Sequence, residues 1–181
     1  MKRLLIDMDS VIVNILDKWL SVYNQDYLDT LTVDQLTDYA MEAHVKAECG
    51  LKMYDYFHQA SFFANLPPIE GAIESLARLH RDFEIVIVST SPLYAYTDKE
   101  KWVEQYLPFI GKRNLVFTHR KDLVVGDLLF DDAPHNLLAF QQSGRLAVAM
   151  DYPFNRQLDV PRVTSWPAFE AFVRQYFGGN G

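Results

Sequence analysis

Apolar residues gather in short, nearly continuous runs along this chain: "RLLID" (3–7), "FEIVIVST" (83–90), "NLVFT" (114–118), "DLLFDD" (127–132) and "RLAVAM" (145–150). Runs of this length without alternation read as strands buried on both faces, the pattern of a parallel sheet covered by helices. Between most of them the period changes. "GAIESLARLHRD" (71–82) sets Ile73, Leu76, Ala77 and Leu79 near one helical face, and "KEKWVEQYL" (99–107) does the same with Trp102, Val103 and Tyr106. Strands alternating with helices predict an α/β domain, a doubly wound parallel sheet. Ser165 as N-cap, Pro167 in the first turn and "AFEAFVRQYF" predict a terminal helix, with the closing "GGNG" frayed.

Residues 15–66 break the pattern. They carry no strong strand signal, show helical patterning in "NILDKWLSVYNQDYL", and end at Pro67-Pro68. The expected plan is therefore a core of 1–14 and 67–181 with a small helical insertion, 15–66, after the first strand. No repeat or low-complexity linker interrupts it.

Composition narrows the function classes. A chain of 181 residues, 49% hydrophobic and 14% aromatic, supplies the core of one domain carrying a small insertion, and excludes disorder. A net charge of −7 argues against a nucleic-acid polymer or an anionic membrane as partner, while permitting a local basic pocket for one phosphate. Cys49 stands alone, so no internal disulfide forms, and nothing around it has metal-ligand spacing. Lys2 and Arg3 precede only three apolar residues, too few for a signal-peptide core, and no apolar run is long enough to cross a bilayer. The expectation is a cytoplasmic protein.

Candidate chemistry lies where the strands end. "LLI" runs into Asp7, "IVIVS" into Thr90-Ser91, "LVFT" leads shortly to Lys121, and "LLF" ends in Asp131-Asp132. Ligands of open α/β sheets bind beyond the carboxyl ends of the strands. Taken singly, Asp7-Met8-Asp9 reads equally as a loop start, Asp131-Asp132 as a solvated turn, Thr90-Ser91 as a helix cap and Lys121 as a surface lysine. Together, in this order, they place acids, hydroxyls and one lysine on a single edge. Asp7 and Asp9, two apart on extended backbone, are expected to point the same way. With Asp131 and Asp132 they form an oxygen-rich nest suited to Mg²⁺, and Lys121 and Thr90 suit a phosphoryl group.

The same order resembles the four motifs of the haloacid dehalogenase (HAD) superfamily of phosphohydrolases. Over "VSTSPLYAYTDKEKWVEQYLPFIGKRNLVFTHRKDLVVGDLLFDD" and the tail "YPFNRQLDVPRVTSWPAF" the chain is similar to the 5'(3')-deoxyribonucleotidases, bacterial members included. The resemblance implies a HAD-like Rossmannoid core with residues 15–66 as a helical cap. It implies Mg²⁺-dependent hydrolysis of a deoxynucleoside monophosphate through an aspartyl-phosphate. Asp7 is then the nucleophile and Asp9 the acid and base. Thr90 and Lys121 bind phosphate with Ser91 close by. The metal sits on Asp7, the Asp9 backbone carbonyl and Asp131, with Asp132 in support.

Substrate contacts are expected from the cap aromatics Phe57, Phe62 and Phe63, for which, as for Tyr54, a place in the cap core is an equal reading. Ile15 stands where the animal enzymes have a base-contacting aromatic, and His119 where they have an arginine two before the motif lysine. Ser10 stands where glycine is common, a tolerated replacement unless the residue needs a positive φ. His44, His58, His80 and His135 show no ligand spacing, although His135 follows the acid pair closely. Alternatives within reach of the same residues are a HAD phosphatase acting on another small phosphoester, such as a sugar phosphate, and a receiver-like phosphoacceptor module. Receivers place the acid pair first and the lysine last, the reverse of the order here. A homodimer is compatible with this reading.

Overall fold

The computed structural model describes residues 1–59 and 62–178. Six strands, β1 (Arg3–Ile6), β2 (Glu84–Ser89), β3 (Leu115–Phe117), β4 (Leu128–Asp131), β5 (Leu146–Met150) and β6 (Arg162–Val163), form one sheet. Their order is β3-β2-β1-β4-β5-β6, and every neighbouring pair is parallel. The doubly wound α/β expectation holds. Strand order reverses between β1 and β4, the crevice where folds of this order bind their ligands.

Both faces of the sheet are covered, which is why its strands read as unbroken apolar runs. Leu4 and Ile6 face one core with Phe130, Trp166 and Phe169, while Leu5 faces a second with Val86, Val88, Leu129 and Phe140. Phe130 stacks on Phe169 at 3.8 Å. Trp166 lies edge-on to Phe130 at 5.4 Å and donates its indole N–H to the Val11 carbonyl at 2.8 Å. The terminal helix is thereby tied to the loop after β1. Gly126, leading into β4, has no room for a side chain: a Cβ there would lie 2.5 Å from Leu5 Cγ.

The helices are α1 (Ile15–Tyr27), α2 (Ala72–Leu79), α3 (Tyr96–Tyr106), α4 (Pro134–Gln142) and α5 (Trp166–Gly178). Ser165 caps α5 as expected, accepting from the Ala168 N–H at 3.3 Å. The frayed end predicted for "GGNG" falls, beyond Gly178, outside the described residues. Three details differ from the sequence reading. β6 is only two residues long, too short to leave a pattern. The buried face of α2 is Ala72, Ser75, Leu76 and Leu79, with Ile73 and Ala77 half-buried. That of α3 is Lys99, Trp102 and Val103, with Tyr106 half-buried and stacked on Trp102 at 4.6 Å.

Between β1 and α2 the described chain has one α-helix, α1, followed by 3-10 turns at Val33–Gln35, Met41–Ala43 and Gly50–His58. It is less regular than a helical insertion would suggest, with side chains holding the 3-10 elements in place. Trp19 Nε1 donates to the Met53 carbonyl at 2.7 Å, Tyr56 Oη to Asp26 at 2.8 Å, and Tyr23 Oη accepts from the Lys46 N–H at 2.8 Å. Cys49 is buried among them. The segment leaves and returns at one point: Asn14 N–H donates to Pro67 O at 2.9 Å and Ile69 N–H to Ile12 O at 2.8 Å. No described helix is long and apolar enough to cross a membrane.

Candidate active site

Asp7 continues the β1 ladder, its N–H donating to the Phe130 carbonyl at 2.9 Å, so its carboxylate emerges beside that of Asp131 at the end of β4. Asp7, Asp131 and Asp132 are all buried. Uncompensated, such charges are costly. Lys121 compensates part of the cost, with Nζ 2.6 Å from Asp7 Oδ1 and 2.6 Å from Asp131 Oδ2. Asp131 also accepts from the Ala133 N–H at 2.9 Å and from Asn136 Nδ2 at 3.2 Å. A 3-10 turn, Lys121–Leu123, presents the lysine, and Arg145 braces that turn by donating to the Val124 carbonyl at 2.7 Å.

The balance of the cluster is negative. Burial, opposed by Lys121 and reinforced by Asp131 and Asp9, pushes the Asp7 carboxyl up to about 7. Burial, with Asp7 and Asp131 behind it, drives Asp132 well above the usual carboxylate range. Burial alone would lower the Lys121 ammonium, but Asp131 and Asp7 reverse this and raise it. Oxygens of Asp7, Asp131 and Asp132 lie within 4.8 Å of one another. Three hard donors in surplus over one ammonium fit a small divalent cation.

Two expectations about the acids change. Asp9 does not share the nest: its carboxylate pairs with Lys99 instead. From Met8 onward the chain turns, the N–H groups of Ile12 and Val13 folding back onto the Met8 carbonyl at 2.8 and 2.9 Å. Within that turn Ser10 has φ 59°, so the glycine-like conformation is required here and serine is strained by roughly 1–2 kcal/mol. Tyr152 Oη, donating to the Ser10 carbonyl at 2.9 Å, and the Ser10 N–H, donating to Val13 O at 2.9 Å, hold it there. The acid pair also exchanges emphasis. Asp132 faces the cavity, whereas Asp131 is fully buried behind it with its oxygens engaged.

Above the acids lies a cavity of about 450 Å³. Asp7, Asp9, Thr90, Lys121 and Asp132 line its floor, and Ile15, Phe57 and Phe63 line its wall. Phe62, Ser91 and His119 do not line it. Phe62 lies in the insertion core, edge-on to Phe57 at 5.4 Å and under the Lys18 ammonium at 4.8 Å. The Ser91 hydroxyl points to that of Ser89, 3.5 Å away, and His119 is exposed. Thr90 Oγ1 donates to the Thr118 carbonyl at 3.0 Å, which fixes its rotamer beside Lys121.

Sequence reasoning missed Trp19, Tyr39 and Asn136 in the lining and Lys99 behind it. Only Lys99 left a usable signal, as a charge three residues before Trp102 on the apolar face of a helix. His135 does border the cavity, its imidazole 5.5 Å from the ring of Tyr39 and held below its usual pKa by burial.

Compared with known proteins, residues 1–176 match the family described as 5' nucleotidase, deoxy (pyrimidine), cytosolic type C protein. The chain belongs to this family. A 5'(3')-deoxyribonucleotidase of Clostridium acetobutylicum is 37% identical over 139 residues, covering 75% of this chain and 76% of that protein. One of Bacillus subtilis is 27% identical over 173 residues, covering 93% and 96%. Among solved structures, a haloacid dehalogenase-like family hydrolase from Xanthomonas campestris superposes with a TM-score of 0.63 at 14% identity, covering 99% of this chain and 93% of that one. The HAD-hydrolase YfnB of Bacillus subtilis, bound to magnesium, gives 0.59 at 14% identity, covering 95% and 98%. This 5'-nucleotidase family member therefore has a HAD fold, and its buried acids stand at the carboxyl edge of that sheet.

Proposed function

We propose that the protein is a Mg²⁺-dependent 5'(3')-deoxyribonucleotidase that hydrolyses deoxynucleoside monophosphates. The observation that carries this reading is the buried Asp7, paired with Lys121 at the floor of an aromatic-walled cavity. Lys121 is the only lysine or arginine among the described lining residues, which suits one phosphate rather than a di- or triphosphate. Residues 15–66 act as a cap over it, offering ring faces for a base.

In this mechanism an Asp7 carboxylate oxygen bonds to phosphorus as the ester P–O bond breaks, and Asp9 gives its proton to the departing oxygen. Asp9 then takes a proton from water, whose oxygen bonds to phosphorus and releases Asp7 and inorganic phosphate. Thr90 and Lys121 hold the phosphoryl oxygens throughout. Mg²⁺ would be held by Asp7, Asp132 and the Asp9 carbonyl with Asp131 behind them, and it supplies charge neutralisation for the phosphoryl group. Phosphomonoester hydrolysis demands up to ~10²¹-fold acceleration, and a single acid–base group supplies only ~10²–10⁴ of it. A nucleophile, preorganised cations and a proton donor are needed together.

The test is phosphate release from dUMP, dTMP and their 3'-phosphate isomers beside ribonucleotides and sugar phosphates, with and without Mg²⁺. Deoxynucleotides are expected to give the highest kcat/KM, only with the metal. Equal or better kcat/KM on sugar phosphates would overturn the nucleotide assignment.

A further inference from the structure

Lys99 has no part in the mechanism above, yet its side chain is fully buried, which for a lysine requires strong pairing. It is paired on three sides. Its ammonium forms an ion pair with Asp9 Oδ2, donates to Ser89 Oγ at the end of β2 at 2.9 Å, and sits 5.0 Å from the ring centroid of Phe63 in the insertion. An ammonium has three protons to donate, and here two find oxygens while a ring face takes the remaining side. Lys99 does not line the cavity.

Asp9 shows the other half of the arrangement. Its Oδ1 is buried with no hydrogen-bond partner among the described residues, although the residue borders the cavity. The contrast with Asp131, whose two oxygens are both bonded, is direct. The Lys99 ammonium is thus the one hydrogen-bond partner of the Asp9 carboxylate among the described residues.

We propose that Lys99 is the positioning residue of the reaction: by holding Oδ2 it fixes the Asp9 rotamer at the edge of the cavity, where the carboxyl group meets the departing ester oxygen and, later, the attacking water. This rests on the phosphohydrolase reading given above. The torsion that ends a carboxylate side chain is broad and close to two-fold, so an untethered Asp9 would exchange its oxygens and wander from the reacting atoms. Misplacement on the scale of 1 Å costs on the order of 10²-fold in rate. Phe63 closes the remaining side of the ammonium, so the tether is complete only with the insertion in place.

Lys99→Met and Ser89→Ala, compared with the wild type on dUMP and on p-nitrophenyl phosphate by rapid mixing, test this. The deoxyribose oxygen needs a proton as its bond to phosphorus breaks, whereas p-nitrophenolate departs without one. In Lys99→Met, kcat on dUMP is expected to fall about 100-fold with KM within about threefold, the size of one acid–base contribution. The first turnover of p-nitrophenyl phosphate should stay within about fivefold of wild type, giving a burst of one p-nitrophenolate per enzyme. A slow steady state should follow, because the aspartyl-phosphate still needs Asp9 to activate water. Ser89→Ala should show the same split at about a tenth of the size, one neutral hydrogen bond being lost.

Equal losses on both substrates in the first turnover, or kcat on dUMP within threefold of wild type, would overturn the positioning role. If Lys99→Met does not fold, Ser89→Ala decides by the same split. A wild type that hydrolyses neither substrate would instead sink the phosphohydrolase reading and this inference with it. An active wild type without the split sinks only the role of Lys99.

Discussion

Below the cavity, parallel strands deliver Asp7, Ser89 and Asp131 on backbone ladders, and buried cations at Lys121 and Lys99 tie the floor together. Above it, Trp19, Tyr54 and Phe57 pack ring against ring at 5.0 to 6.3 Å on a scaffold of one helix and several 3-10 turns. The polar atoms of that wall are already spent inward: the Trp19 indole bonds to Met53 O and the Tyr54 hydroxyl to Glu42. The floor is therefore a place where charge is fixed, and the wall a place where shape is offered. Changes to the floor should act on kcat, and changes to the wall on KM.

The largest expected effect tests the floor. Asp7→Asn should lower kcat by at least ~10⁴-fold, the scale of losing a nucleophile, while the protein still folds by circular dichroism. Measurable turnover within tenfold of wild type would break the division outright. On the wall, Phe57→Ala should raise KM for dUMP about tenfold with kcat within threefold, since stacking on a base is worth ~1–3 kcal/mol. An equal fall in kcat would show that the wall takes part in the chemistry.

Proton linkage sharpens the comparison next. Asp7 titrates at about 7 in the folded, metal-free protein, above the ~3.9 of an unfolded aspartate. The folded state then holds the extra proton between roughly pH 4 and 7, so this group's contribution to stability falls as pH rises through that window and is flat above it. Asp132 is shifted in the same direction. The metal-free Tm should therefore drop from pH 5 to pH 8 by scanning fluorimetry, with a smaller drop in Asp7→Asn. Mg²⁺ should raise Tm more at pH 8 than at pH 5, because cation and proton compete for the same oxygens. The smallest effect concerns the hinge between floor and wall. Ser10→Gly should stabilise the protein by about 1 kcal/mol in denaturant unfolding, by relieving the left-handed serine.

How far these features could be read in advance follows from their physics. Acids at the ends of buried strands stand out because each ends an otherwise unbroken apolar run, so Asp7, Asp131, Asp132, Thr90 and the parallel sheet were all legible. β6 and the three-residue 3-10 turns at Val33–Gln35 and Met41–Ala43 were not, having too few residues to establish a period. Phe62 and Phe63 are neighbours of identical chemistry, and only packing sends one into the insertion core and the other to the cavity wall. The different fates of Asp131 and Asp132 have the same origin, since adjacent residues leave the strand toward different surroundings.

By itself, then, the sequence determined the α/β class, the edge at which the chemistry gathers and the residue types found there, because burial on both faces dictates composition strand by strand. Tertiary structure alone decided that Asp9 leaves the acid nest for Lys99, ninety residues away, and that Ser10 turns left-handed beside it. Such pairings depend on desolvation and on which charge lies nearest in space, and neither is written in local order.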